Sequence, residues 1–184
     1  MTPRERLMEI LIGRSVRLGD FTLASGAKSS YYVDARRTTM SAEGQHLTGA
    51  VCWDALQASG LEPTHVGGLT MGADPVTYAL ARESFERGHP LDGFSVRKKA
   101  KEHGTGQRIE GGLPEGARCL VIEDSMTTGG SALKAIEALQ DFDRTRVIAQ
   151  GRTVPVTASA GAVGSSARAI GFTERCGDRK VLNA

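Results

Sequence analysis

Leu120-Val121-Ile122-Glu123-Asp124-Ser125-Met126-Thr127-Thr128-Gly129-Gly130-Ser131 passes from an apolar run to two adjacent carboxylates, through small residues, and into a helix-forming stretch at 132–140. The order is strand, acidic pair, loop, helix. The first turn of a helix carries unpaired N–H groups and a partial positive charge, which together hold a phosphate dianion. The carboxylates of Glu123 and Asp124 cannot assist that phosphate, so they face sugar hydroxyls or a magnesium ion. A ligand with a 5-phosphate at one end and a cis-diol at the other meets both needs, and phosphoribosyl diphosphate is such a ligand. Each piece alone has a plainer reading. Acidic pairs after strands are commonly solvated, and Thr-Thr-Gly-Gly-Ser is ordinary turn chemistry. Their order is what points to a ligand.

The flanking sequence extends the alternation of strand and helix. Thr2-Pro3 reads as N-cap and first helical position, followed by an apolar stripe at Leu7, Ile10 and Leu11. Phe21-Thr22-Leu23 is a short extended piece, and Tyr31-Tyr32-Val33-Asp34-Ala35 reads as a strand. Ser41 can cap a helix running to about Gly60, with Leu47, Val51 and Leu56 on its inner face. His65-Val66-Gly67-Gly68-Leu69 predicts a strand, Asp74-Pro75 opens a helix that ends near Gly88, and strands follow at 93–96 and 118–122. This alternation predicts an α/β fold on a parallel sheet. Ligands in such sheets sit at the carboxyl ends of strands. Here those ends are Gly72-Ala73-Asp74, the residues from Arg97 onward, and Glu123-Asp124.

The chain has 184 residues, enough for one domain with a proper core, and shows neither an internal repeat nor a linker. Hydrophobic residues make up 40% and charged residues 24%, as in ordinary soluble globular proteins. A net charge of +2 gives no bulk electrostatic case for nucleic acid. No apolar stretch approaches the ~20 residues of a membrane span. The N-terminus is charged from Arg4 onward and lacks a signal-peptide block. Cys52, Cys119 and Cys176 are widely spaced, which fits reduced cytoplasmic thiols and not a disulfide framework or a zinc site. Cys52 and Cys119 stand in apolar runs and belong to the core.

Arg97-Lys98-Lys99-Ala100-Lys101-Glu102-His103-Gly104-Thr105-Gly106-Gln107-Arg108-Ile109-Glu110-Gly111-Gly112 carries neither a helical nor a strand period. A structureless run beyond ~12–15 residues in a compact domain is a lid, a binding loop or disordered. Lysine-rich runs are ordinarily solvated, but this one leaves a strand on the side where the acidic pair also emerges. A diphosphate gains negative charge as its bond to the sugar breaks. Arg97, Lys98, Lys101 and His103 closing over it would stabilise that charge and exclude water. His103, if protonated, adds a hydrogen-bond donor.

Residues 97–104 resemble the flexible catalytic loop of the orotate phosphoribosyltransferases, R-K-x-x-K-x-H-G. Residues 121–130 resemble the phosphoribosyl-diphosphate signature of that type I phosphoribosyltransferase family. Phe21-Thr22-Leu23-Ala24-Ser25-Gly26, with Ser29 and Tyr31-Tyr32-Val33-Asp34, is similar to its N-terminal substrate segment. The resemblance implies a single domain over 1–184: a type I phosphoribosyltransferase-like parallel sheet flanked by helices, with a small N-terminal hood over 1–40 and a flexible catalytic loop. It implies transfer of the phosphoribosyl group from phosphoribosyl diphosphate to orotate, giving orotidine 5′-monophosphate and diphosphate. The transition state would be oxocarbenium-like. Mg²⁺ would be carried on phosphoribosyl diphosphate, near Asp124. The enzyme would be a homodimer whose loops reach into the partner's site. Carried over by motif, Arg97, Lys98, Lys101 and His103 grip the diphosphate as the catalytic set, with Lys101 foremost. Glu123 and Asp124 take the ribose hydroxyls. Ser125 and Met126 lead into a 5-phosphate cradle of Thr127, Thr128, Gly129, Gly130 and Ser131. Thr127 and Tyr32 flank orotate.

Three departures stand against that pattern. Ala24 occupies a place where many members carry lysine. In Thr70-Met71-Gly72-Ala73-Asp74-Pro75, Gly72 stands where the turn Gly-Pro-Ala-Tyr-Lys-Gly has its lysine. Val147-Ile148-Ala149-Gln150-Gly151-Arg152 replaces a strand ending in Val-Asp-Arg, whose arginine pairs with the orotate carboxylate. Arg152 is the nearest candidate for that role, since its planar fork suits a carboxylate. The tail at 153–184, rich in Ala, Gly and Ser, is atypical. Two other functions share the fold. One is a non-catalytic phosphoribosyl-diphosphate-binding regulator, which has no need of a lysine- and histidine-bearing lid. The other is a phosphoribosyltransferase for another base, against which Tyr31-Tyr32 and the loop pattern argue together.

Overall fold

The computed structural model describes residues 1–22, 26, 28–99, 107–126 and 129–142, with the strand backbones at 146–148, 152–153 and 169–172. Helix α1 (Pro3–Ser15) starts as its sequence predicts. Thr2 Oγ1 accepts from Glu5 N at 3.2 Å, and Glu5 Oε2 accepts from Thr2 N at 2.7 Å, a reciprocal capping box. Strands β1 (Val16–Thr22) and β2 (Lys28–Val33) form a separate antiparallel pair, the hood. A short α2 (Arg36–Thr39) leads to α3 (Ala42–Ser59), capped by Ser41 Oγ on Gly44 N and ended by Gly60 at φ 69°. Then follow β3 (His65–Leu69), α4 (Ala73–Glu86), β4 (Asp92–Val96), β5 (Ile109–Glu110), β6 (Arg118–Ser125) and α5 (Gly130–Asp141). Three short strands come last: β7 (Arg146–Ile148), β8 (Arg152–Thr153) and β9 (Ala169–Phe172).

The main sheet runs β5-β4-β3-β6-β9-β8, with β7 beside β6. Strand β6 explains the layering. Its side chains alternate, so Leu120 and Ile122 pack with Val66, Val76, Leu80 and Trp53 beneath α3 and α4. Cys119 and Val121 turn the other way, onto Phe94, Val96 and the Ala135–Leu139 face of α5. A strand buried on both faces reads as a continuous apolar run, as this one does. Burial pushes the Cys52 and Cys119 thiols up to about 12, so both are inert core groups. No helix among the described residues is long and apolar enough to cross a membrane.

The predicted parallel sheet flanked by helices is present, with antiparallel strands added to it. Strands β4, β3, β6 and β7 are parallel, while β5 and β9 run antiparallel to their neighbours. Strand β7 pairs with the first half of β6 and β9 with the second, at Ile122↔Phe172, Glu123↔Gly171 and Ser125↔Ala169. Strand β9 lies in the tail, where no element was predicted; at four residues it is too short to declare a period. The same holds for β5, which lies within the aperiodic run from Arg97 to Gly112. Strand β1 is longer than Phe21-Thr22-Leu23 suggested, because most of it is exposed and shows no apolar alternation.

Candidate active site

Alternation along β6 separates the two carboxylates. Asp124 is in phase with Leu120 and Ile122 and so points to the α4 side. Its carboxylate lies directly against Gly72, where a Cβ would come 2.8 Å from Asp124 Cγ. Glu123 is in phase with Val121 and points to the α5 side, where it accepts from the Ser131 side chain and the Ala132 N–H. Glu123 braces the entry to α5, and Asp124 faces the cleft. Burial pushes both carboxyls above their ordinary values. The two carboxyls still feel each other, since the charge of Asp124 adds to the rise at Glu123. For Asp124 the N–H of Ser125 and the Arg36 guanidinium oppose that rise, while Asp34 adds to it.

The start of α5 is built for an anion. Gly129 occupies the left-handed region at φ 75°, the turn that lets β6 swing into the helix. The N-cap Gly129 has no side chain to offer, and Glu123 takes the Ala132 N–H from outside the helix. Gly130 and Ser131 open the first turn, so backbone N–H groups and the helix dipole are presented to whatever binds there. Ser125 closes β6 and Met126 follows it, half-buried. Thr127 and Thr128 lie outside the described residues.

Two other strand ends flank Asp124. After β3, the turn at 70–72 is tied by Asp74, whose carboxylate accepts from Thr70 Oγ1 at 2.5 Å and from Ser95 Oγ at 2.7 Å. After β4, Arg97 N donates to Arg108 O at 2.7 Å, and Arg97 Nη1 to Glu110 Oε1 at 2.9 Å. The pairing of β4 with β5 thus makes a stem from which the basic segment springs. Arg97 and Lys98 are exposed there. Lys101 and His103 lie outside the described residues.

The hood supplies the remaining wall. Tyr32 is 41% exposed, and its ring centroid is 5.6 Å from that of Phe21. Arg36 Nε donates to Asp34 Oδ1 at 2.9 Å, and the guanidinium feels the charge of Asp124 across the cleft. Arg36, Thr70 and Ser95 were not singled out from the sequence, and Asp74 was named only for its place at a strand end and a helix start. Only Asp34 and Asp74, standing at a strand end and a helix start, gave any local signal. Ala24 lies outside the described residues, as does the side chain of Arg152, whose backbone in β8 pairs with Phe172.

Comparison with known proteins identifies the family. Residues 45–150 match the model of the phosphoribosyl transferase domain. The orotate phosphoribosyltransferase of Rhodopirellula baltica is 42% identical over 140 residues, covering 74% of this chain and 72% of that one. That of Streptomyces avermitilis is 46% identical over 138 residues, covering 75% of each. Among solved structures, Mycobacterium tuberculosis orotate phosphoribosyltransferase in complex with phosphoribosyl diphosphate superposes with a TM-score of 0.64 at 37% identity, covering 80% of each chain. The same enzyme in complex with Fe(III) dicitrate gives 0.69 at 41% identity, covering 80% of this chain and 81% of that one. By sequence and by fold, the chain belongs to the orotate phosphoribosyltransferase family.

Proposed function

We propose that this protein transfers the phosphoribosyl group from phosphoribosyl diphosphate to orotate, forming orotidine 5′-monophosphate and diphosphate for pyrimidine biosynthesis. The observation that carries the reading is the end of β6, where the Asp124 carboxylate lies against Gly72 and the chain enters α5 through the glycines 129 and 130. In this reading the 5-phosphate sits on the N–H groups of residues 127–131, and Asp124 accepts from a ribose hydroxyl. Glu123 holds the phosphate turn through Ser131 and Ala132. Orotate lies along Tyr32, with Thr127 on its other side, and Arg152 is the candidate for its carboxylate. The bond between the anomeric carbon and the diphosphate oxygen breaks, one from that carbon to orotate N1 forms, and the N1 proton passes to the departing diphosphate. Positive charge builds on the sugar and negative charge on the diphosphate. Arg97, Lys98, Lys101 and His103 meet the latter.

Mg²⁺ takes oxygen ligands. Phosphoribosyl diphosphate would bring the ion with it, near Asp124, where its charge would offset that of the leaving diphosphate. The protein is read as a cytoplasmic homodimer in which each basic segment serves the partner's site, as the resemblance of its motifs implies; the free, buried Cys52 and Cys119 fit a reducing compartment. The test is a spectrophotometric assay with orotate, phosphoribosyl diphosphate and Mg²⁺. Magnesium-dependent consumption of orotate is expected. A folded protein that binds phosphoribosyl diphosphate but leaves orotate unchanged overturns the assignment of the base.

A further inference from the structure

Asp74 opens α4 but does not spend its carboxylate on that helix. Both oxygens accept from hydroxyls outside it: Oδ2 from Thr70 in the turn after β3, and Oδ1 from Ser95 in β4. Tyr78 OH, one turn further along α4, lies 3.3 Å from Ser95 Oγ and gives that hydroxyl a second partner. Thr70 N also donates to Val96 O at 2.8 Å, so turn and strand are joined twice. Each joined segment leads to something in the cleft. Thr70 is followed by Met71 and Gly72, and the Gly72 backbone is the wall against which the Asp124 carboxylate rests. Ser95 is followed by Val96 and Arg97, the first residue of the basic stem, and pairs in register with Glu110, the partner of Arg97.

We propose that Asp74 is a positioning residue for the phosphoribosyl-diphosphate site, one carboxylate that sets the Gly72 wall behind Asp124 and the β4–β5 stem of Arg97 at a fixed separation. The inference rests on the function proposed above. It does not require that Asp74 touch a ligand. A sugar hydroxyl held at Asp124 and a leaving group met from the Arg97 stem must be gripped together. A displacement of one against the other by about 1 Å is enough to cost up to ~10²-fold in rate. The clamp is half-buried and built of hydroxyls, not core side chains. Its loss should therefore cost geometry more than stability.

The experiment compares Asp74→Ala, Asp74→Asn and Ser95→Ala in the full chain. It reads phosphoribosyl-diphosphate affinity by calorimetry, KM for each substrate, kcat and thermal midpoint. Asp74→Ala should weaken phosphoribosyl-diphosphate binding about 10-fold or more, with KM for orotate within about threefold of the parent. Asp74→Asn should recover most of the affinity. Its amide oxygen still accepts from one hydroxyl, and its N–H can donate to the other. Ser95→Ala should shift affinity in the same direction by less, and it serves as the test if Asp74→Ala fails to fold. Unchanged phosphoribosyl-diphosphate affinity in the folded variants overturns the proposal. So does equal damage to both substrates that tracks lost thermal stability. The calorimetric arm needs no acceptor base, so a parent protein that binds phosphoribosyl diphosphate without consuming orotate refutes the assigned base and leaves this test intact.

Discussion

At the scale of single residues, Asp124 is held where burial disfavours its charge. Its carboxyl lies above the ordinary value of 3.8, chiefly through burial. A raised carboxyl means that the folded chain binds the proton more tightly than the unfolded one. The ionised group therefore destabilises the fold fully above the folded pKa, and this cost fades as pH falls through it toward 3.8. Asp124→Asn removes the charge with little change of shape. It is expected to melt at a higher temperature than the parent at neutral pH, with the difference narrowing in acid, while binding phosphoribosyl diphosphate poorly. A parent that is the more stable of the two at neutral pH would contradict this. Gly129 is a second case in which one atom decides. At φ 75° the position suits glycine, and a Cβ there would sit 3.6 Å from Met126 Sδ, an ordinary contact. The cost of Gly129→Ala is therefore backbone strain and not crowding, ~1 kcal/mol. Denaturant melts should show that loss, and calorimetry should show weaker phosphoribosyl-diphosphate binding, because the turn it shapes presents the phosphate donors.

Among the elements, β6 and the β4–β5 stem do the most for the site. Strand β6 runs three residues beyond the apolar stretch, to Ser125. That extension sends Glu123 and Asp124 to opposite faces, so two neighbouring carboxylates acquire two tasks. The stem ties Arg97 to Arg108 and Glu110 and so fixes where the basic segment starts and ends. Lys101, inside that segment, is assigned to the departing diphosphate. Lys101→Ala is expected to lower kcat about 10²-fold or more, with the thermal midpoint unchanged. An unaltered kcat would refute the assignment of this segment to catalysis. Sequence periodicity could not report the stem, because β5 is a two-residue strand that exists only through its pairing with β4.

For the whole molecule, the proposed exchange of basic segments between subunits can be measured directly. Lys101→Ala and Asp124→Asn disable different halves of one site. If the segment of one subunit serves the other, mixing the two inactive variants should restore activity through hybrid dimers. No recovery from a mixture shown to exchange subunits would place segment and site on the same chain. Much of this fold was legible beforehand, for physical reasons. Strand β6, α3 and β3 are buried, and burial stamps an apolar pattern on sequence; caps at Thr2, Ser41 and Gly60 mark ends because unpaired backbone groups need local partners. The hood strands, β5 and β9 were missed or shortened, since exposed or very short strands leave no such imprint. The chemistry of the cosubstrate was also carried locally, in an acidic pair, a glycine turn and a helix start that are contiguous in the chain. Only the tertiary structure decided how that chemistry is divided. Which carboxylate faces the cleft, that Gly72 gives it room, and that Asp74 ties two strand ends around it depend on side-chain phase and on contacts between residues from 4 to 52 positions apart. Local sequence dictates what a segment can bind, whereas the packing of sheet against helix dictates which of its atoms are free to do so.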